Sequence, residues 1–196
     1  MVKFRCLQRG YCCRRYWIPV THLDILRLVV YGGYNPLNII EPLEVDIYPP
    51  TTDIPAIRLS DGEYYIALKI EQDGSCIFLN RDGKCKVHEF KPLVCRFYPF
   101  IYTIRNGNIV IEVNSAALGE CPGLVLDNKP IPQHIVVTLQ KLAKVRIEEL
   151  RLWRELINEW NSSATRSRSF EEFMKFAIKR AWADYTHLKR RGLIVK

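Results

Sequence analysis

No stretch of the chain approaches the run of roughly eighteen uncharged apolar residues that a membrane span requires. The first ten residues, MVKFRCLQRG, lack the apolar segment of a secretory signal. These two absences lead to the expectation of a cytoplasmic protein without a membrane partner. No internal repeat or low-complexity tract is present, which argues against a solenoid. There is no Gly-rich phosphate loop, no Ser-His-Asp order and no His-Glu-x-x-His, so nothing specifies nucleotide, acyl-transfer or zinc-protease chemistry. Catalytic residues are therefore not assigned. Methionine and glutamine are scarce beside plentiful Ile, Arg and Tyr, a composition that leans towards a thermophilic host.

What is present is a basic chain of 196 residues, 48% hydrophobic, large enough for one generous domain or a core with a helical appendage. Its net charge of +8 is uneven. Residues 1–15 carry +5, residues 16–140 carry −4, and residues 141–196 carry +7. The excess lies at the two ends, in Arg5, Arg9, Arg14 and Arg15 and in Lys189, Arg190 and Arg191. Such asymmetry suits an anionic partner, nucleic acid or a ribonucleoprotein first, with a solvated helical surface as the plainer alternative.

The periodicity predicts an α+β protein: a small antiparallel β region within residues 1–130, followed by a helical pair over 131–196. "VTHLDILRLVVYGG" has a helix grammar, with Thr21 as N-cap, Asp24 completing a capping box, and Gly32-Gly33 as the stop. Residues 34–55, broken by five prolines, are expected to form a loop with little regular structure. Hairpins are expected around Asp61-Gly62, across Asn80 to Gly83, and around Asn106 to Asn108, the second placing Cys76 and Cys85 on paired strands. After Pro132 the apolar residues Val136, Leu139, Ala143, Ile147, Leu150, Trp153, Ile157 and Trp160 step by three or four, one face of a long helix. Residues 161–168 are a polar linker. Ser169 and Glu172 then form a capping box, and Phe170, Phe173, Ala177, Ala181, Tyr185 and Leu188 give a second helical stripe. Trp153, Trp160 and Trp182 at this spacing belong to a core rather than to a base-stacking platform.

The chemistry lies in the seven cysteines: Cys6, Cys12, Cys13, Cys76, Cys85, Cys95 and Cys121. In a reducing compartment clustered thiols are metal ligands more often than disulfides, and an odd number cannot pair completely within one chain. Adjacent residues in extended backbone point to opposite sides, so Cys12 and Cys13 are not expected to serve one ion equally.

"FRCLQRGYCC" and "CIFLNRDGKCKVHEFKPLVCRFYPF" together resemble the cysteine-rich zinc- or iron-chelating family with a Cys-x2-Cys-x2-Cys-Cys motif, a family related to the cysteine-rich domain of flagellin lysine N-methylases. The resemblance spans roughly residues 4–125 and implies that all seven cysteines match family positions. It implies a tetrahedral zinc site or an iron–sulfur cluster, the latter slightly favoured because thiols from several loops surround a cluster more easily than one ion. Arg9 stands where the second motif cysteine belongs, leaving room for one complete four-thiolate site. His88 replaces the usual tyrosine and is a possible extra nitrogen ligand, and Lys91 replaces the usual arginine. Three functions remain open: a metal-bearing module docking on RNA or a ribonucleoprotein, a cluster-dependent methylase-like or redox enzyme, and a metal chaperone or store.

Overall fold

The computed structural model describes residues 2–48, 54–127, 130–163 and 168–195. Its architecture is α+β, with three small antiparallel sheets followed by two long helices. Strand β1 (Lys3–Phe4) pairs with β7 (Leu124–Val125), tying the start of the chain to the end of its cysteine-bearing part. A short helix α1 (Tyr11–Arg15) leads to α2 (His22–Gly32). Helix α2 starts where expected: Thr21 Oγ1 accepts the Asp24 N–H at 3.2 Å while Asp24 Oδ2 accepts the Thr21 N–H at 3.1 Å.

The proline-broken segment is more regular than its sequence suggests. A single turn, α3 (Pro36–Ile39), runs into β2 (Ile40–Glu44), which pairs along its whole length with β4 (Glu63–Leu68). Pro42 is tolerated because it faces Ile66, whose carbonyl is turned the other way and accepts the N–H of Val20 at 3.1 Å. The opposite side of β4 also carries β3 (Ile57–Arg58), and these two form the expected hairpin at Asp61-Gly62. Residues 49–53 of the proline-rich segment lie outside the described residues, as do 164–167 of the polar linker.

Between Cys76 and Cys85 the hairpin is reduced to a tight turn with one bridge, Leu79 to Cys85. Asn80 closes it by accepting the Lys84 N–H on its side chain at 2.7 Å and the Gly83 N–H on its carbonyl at 3.0 Å. The two cysteines are therefore near one turn but not on paired strands. Helix α4 (Leu93–Phe97) precedes the third hairpin, β5 (Phe100–Arg105) with β6 (Asn108–Val113).

Helix α5 (Gln133–Ser162) spans the molecule. Its first half packs Leu139 and Ala143 with Val2, Phe97, Phe100 and Ile111. Its second half buries Trp153, Leu156, Ile157 and Trp160 with residues of α2 and the β2–β4 sheet. Helix α6 (Phe170–Arg190), opened by the Ser169–Glu172 capping box, runs back antiparallel to α5. Phe173 meets Trp153 and Trp160 edge-on, while Arg191 at the far end reaches Glu148. Helix α6 also leans on α2, where Ala181 and Leu188 pack against Leu23 and Leu26. Trp153 and Trp160 are core residues as expected, whereas Trp182 is half exposed. Among the described residues no helix is long and apolar enough to cross a membrane.

Candidate metal centre

All seven cysteines line one cavity of about 440 Å³. Five separate segments deliver them, and each is held by its own local device. Cys12 and Cys13 sit on α1, which begins at Gly10 in a left-handed conformation with φ 68°. A side chain there would be strained, and its first carbon would lie 2.4 Å from Leu79. The glycine lets α1 settle directly against the Cys76–Cys85 turn. The N–H of Cys76 then donates to the carbonyl of Cys13 at 2.7 Å, coupling the two halves of the motif through the backbone.

Cys95 is carried by α4, which is anchored from below. Asp24, fully buried on α2, accepts the N–H of Leu93 at 2.8 Å. It also accepts Arg27 Nη2 at 2.6 Å and Arg146 Nη1 at 3.2 Å. Arg27 in turn donates two bonds to Glu149, at 2.7 and 2.8 Å. Two acids and two guanidinium groups thus close a neutral buried network across α2, α4 and α5, and Arg146 reaches the cavity wall. In the sequence Asp24 is legible only as a capping residue. The missed signal was a charged pair three residues apart inside the apolar helix α2, Asp24/Arg27.

Cys6 and Cys121 are set by the β1–β7 ladder. The N–H of Arg5 donates to Gly123 at 3.0 Å, and the chains approach so closely that a side-chain carbon on Gly123 would fall 2.0 Å from the Arg5 carbonyl. Tyr16 donates its hydroxyl to Ala116 at 3.0 Å and Arg15 pairs with Glu120 at 3.3 Å, holding the Cys121 loop beside α1.

Cys12 and Cys13 stand on the same side, Sγ to Sγ 4.0 Å. The expected divergence fails because the backbone is helical here, and successive side chains turn by about 100° rather than by 180°. The Cys13 thiol hydrogen-bonds its neighbour and, with Lys91, favours the Cys12 thiolate against the effect of burial. Cys13 is pushed up by that same bond and by burial. Burial raises Cys76 to about 11 and lifts Cys85, Cys95 and Cys121 as well. Each of these is raised further by neighbouring thiols, so the cysteines lie within one another's fields. Among the described residues no three Cys, His, Asp or Glu side chains converge closely enough for one ion; the thiols stand around the cavity wall. The donor set nevertheless suits a thiophilic group, because seven soft ligands share a pocket with the cationic Lys91, which favours the thiolates of Cys12, Cys85 and Cys95.

His88 also lines the cavity, and its buried Nε2 has no partner. Burial and Lys91 lower its pKa, which favours the neutral ring, the form that ligates a metal. His22, by contrast, is fully buried, bonds Asp184 at 3.0 Å and stacks on Trp153, a structural role. Of the basic residues, Arg5, Arg9, Arg14 and Arg15 are exposed around the thiols, with Arg9 on the cavity rim. Lys189, Arg190 and Arg191 are exposed at the end of α6 and do not line the cavity.

Residues 5–122 match the CxxCxxCC family, described as a "Putative zinc- or iron-chelating domain". The chain belongs to this family. In the CxxCxxCC frame the four motif positions are Cys6, Arg9, Cys12 and Cys13, one cysteine having given way to arginine. A similar protein is the uncharacterized MJ0661 of Methanocaldococcus jannaschii, 26% identical over 180 residues, covering 91% of this chain and 87% of that protein. The uncharacterized MJ0939 of the same organism is 23% identical over 180 residues, covering 88% of this chain and 54% of that longer protein. No solved structure matches. Both relatives reach beyond residue 122, so the similarity takes in at least part of the helical pair that the family match leaves out.

Proposed function

We propose that this CxxCxxCC protein binds an iron–sulfur cluster through its cavity thiolates, zinc being the other metal the donor set suits, and docks through its basic N-terminal face on RNA or a ribonucleoprotein. The observation that carries the metal reading is the convergence of all seven cysteines, from residue 6 to residue 121, on one cavity. Their spread around a space of about 440 Å³ supports a multi-atom cluster over a single ion. Either group would crosslink the segments that carry the cysteines, and a cluster would add electron transfer. Metal binding then orders the same N-terminal segment that carries Arg5, Arg9, Arg14 and Arg15, making a basic surface contingent on metal.

A second reading is favoured by the cavity itself. Its volume falls in the range of small-molecule sites, about 300–1,000 Å³, and Trp17, Phe78, Tyr98 and Phe100 give it apolar walls. That arrangement suits cluster-dependent chemistry on a small or aromatic group, as the resemblance to the methylase domain implies.

Elemental analysis and a visible spectrum of anaerobically purified protein test the proposal. Iron with acid-labile sulfide and a brown colour support the cluster. One colourless zinc per chain reduces the site to a structural crosslink and keeps the docking role. Protein free of metal, with oxidised cysteines, overturns the reading.

A further inference from the structure

Cys12 and Cys13 are the one pair of sulfurs in contact among the described residues, 4.0 Å apart on one side of α1. Among those residues no third Cys, His, Asp or Glu stands close enough to share an ion with them. The backbone that aims the pair is held from both directions. The Cys13 carbonyl accepts the Cys76 N–H at 2.7 Å, and the Cys12 carbonyl accepts the Tyr16 N–H at 3.2 Å. Arg14 Nη1 closes the turn in front of them by donating to the Arg9 carbonyl at 3.1 Å. Both thiols and Lys91 line the same cavity.

We propose that Cys12 and Cys13 together form a two-coordinate site for a soft monovalent cation, copper(I). Structural zinc and iron–sulfur clusters ask for four ligands, whereas copper(I) is soft, selects thiolates, and is satisfied by two of them. An ion midway between the pair lies about 2 Å from each sulfur, half of their 4.0 Å separation. That is shorter than the about 2.3 Å of four-coordinate zinc, as bonds to an ion with fewer ligands are. The site goes beyond the reading above, and it leaves Cys6, Cys76, Cys85, Cys95 and Cys121 to a zinc or cluster group.

Charge matches as well as distance. One hydrogen bond joins the two sulfurs, so a single proton lies between them, and Lys91 favours the thiolate of Cys12. Copper(I) carries the same charge as that proton. When the two sulfurs close on the ion, the Cys13 S–H bond breaks and its proton leaves to solvent. Two sulfur–copper bonds form, no electron is transferred, and the bridge keeps the single negative charge that Lys91 offsets. A divalent zinc ion in the same place would need two further donors, and among the described residues none converges there.

Copper(I), added anaerobically to the full chain in competition with bathocuproine disulfonate, tests the site. Wild type is expected to withhold one equivalent from the competitor. Cys12→Ser and Cys13→Ser should each weaken that retention by about 100-fold or more, since loss even of an outer partner of a metal site costs about 10–100-fold. Cys121→Ser, which removes a cavity thiol outside the pair, should leave it nearly unchanged. X-ray absorption at the copper edge of loaded wild type needs no variant, and it should show a first shell of two sulfurs. A shell of three or four sulfurs, or an equal loss in Cys121→Ser, overturns the two-coordinate assignment. Wild type that yields all its copper to the competitor overturns it too, and leaves the zinc or iron reading to the metal found in the purified protein. Protein purified without metal that still withholds copper through Cys12 and Cys13 overturns that earlier reading and keeps this one.

Discussion

Asp24 and Leu93 lie far apart in sequence, yet the carboxylate of the first accepts the backbone N–H of the second at 2.8 Å. That bond holds the first residue of α4, and Cys95 follows two residues later. The same carboxylate carries the charges of Arg27 and Arg146, so one buried acid couples the helical framework to the thiol cavity.

Asp24→Asn keeps the shape and removes the charge, leaving two buried guanidinium groups opposed by Glu149 alone. Breaking a buried pair in this way costs about 3–5 kcal/mol. Urea denaturation should show that loss, and a change below about 1 kcal/mol would mean that the network is not a support of the fold.

Acid should act through the same residue. Burial by itself would raise the Asp24 pKa, but Arg27, Arg146 and the N–H groups of Leu93 and Thr21 outweigh it and hold the group at about 2, below the ordinary 3.8. A depressed pKa stabilises the fold above the unfolded value and loses that contribution as pH falls towards the folded one. Stability is therefore expected to decline as pH drops from about 4 to about 2, and the decline should be shallower in Asp24→Asn. Parallel acid profiles for the two proteins would contradict the assignment.

Trp153 and Trp182 separate core from surface. Trp153 is fully buried against His22 and Phe173, and Trp153→Ala should cost about 3–5 kcal/mol in a denaturant titration. Trp182 is 51% exposed, and Trp182→Ala should stay within about 0.5 kcal/mol of wild type. Equal losses would show that the outer face of α6 is covered in solution.

The sequence made helices α2, α5 and α6 and two of the hairpins legible because their signals are local, whereas the short helices α1, α3 and α4 were not. Capping boxes at Thr21/Asp24 and Ser169/Glu172 mark helix starts within four residues, and Asn106-Gly107 marks a turn within two. Strand β2 was hidden because a proline vetoes pairing only where a donor is needed, and its Pro42 faces a residue whose bonds point away. The gathering of the cysteines was legible as a motif, but which of them pack on the core was not, because that core is formed with α5, by residues well separated in sequence. The Cys12–Cys13 geometry turned on whether five residues coil or extend, which Gly10 decides by packing on Leu79.

RNA binding by the N-terminal face should be steeply salt-dependent. Replacing Arg5, Arg9, Arg14 and Arg15 by alanine should flatten the slope of log affinity against log salt by about 3 for single-stranded RNA. Replacing Lys189, Arg190 and Arg191, which lie away from the cavity, should change it less. No binding by wild type in low salt would end the docking proposal.

X-ray absorption at the metal edge of the anaerobically purified protein tests the central claim, that cavity cysteines hold the metal, most directly. The account predicts a first shell of sulfur, at about 2.3 Å if the metal is zinc, with iron–iron scattering added if it is a cluster. A shell of nitrogen and oxygen would place the metal elsewhere and leave the seven thiols without the role assigned to them.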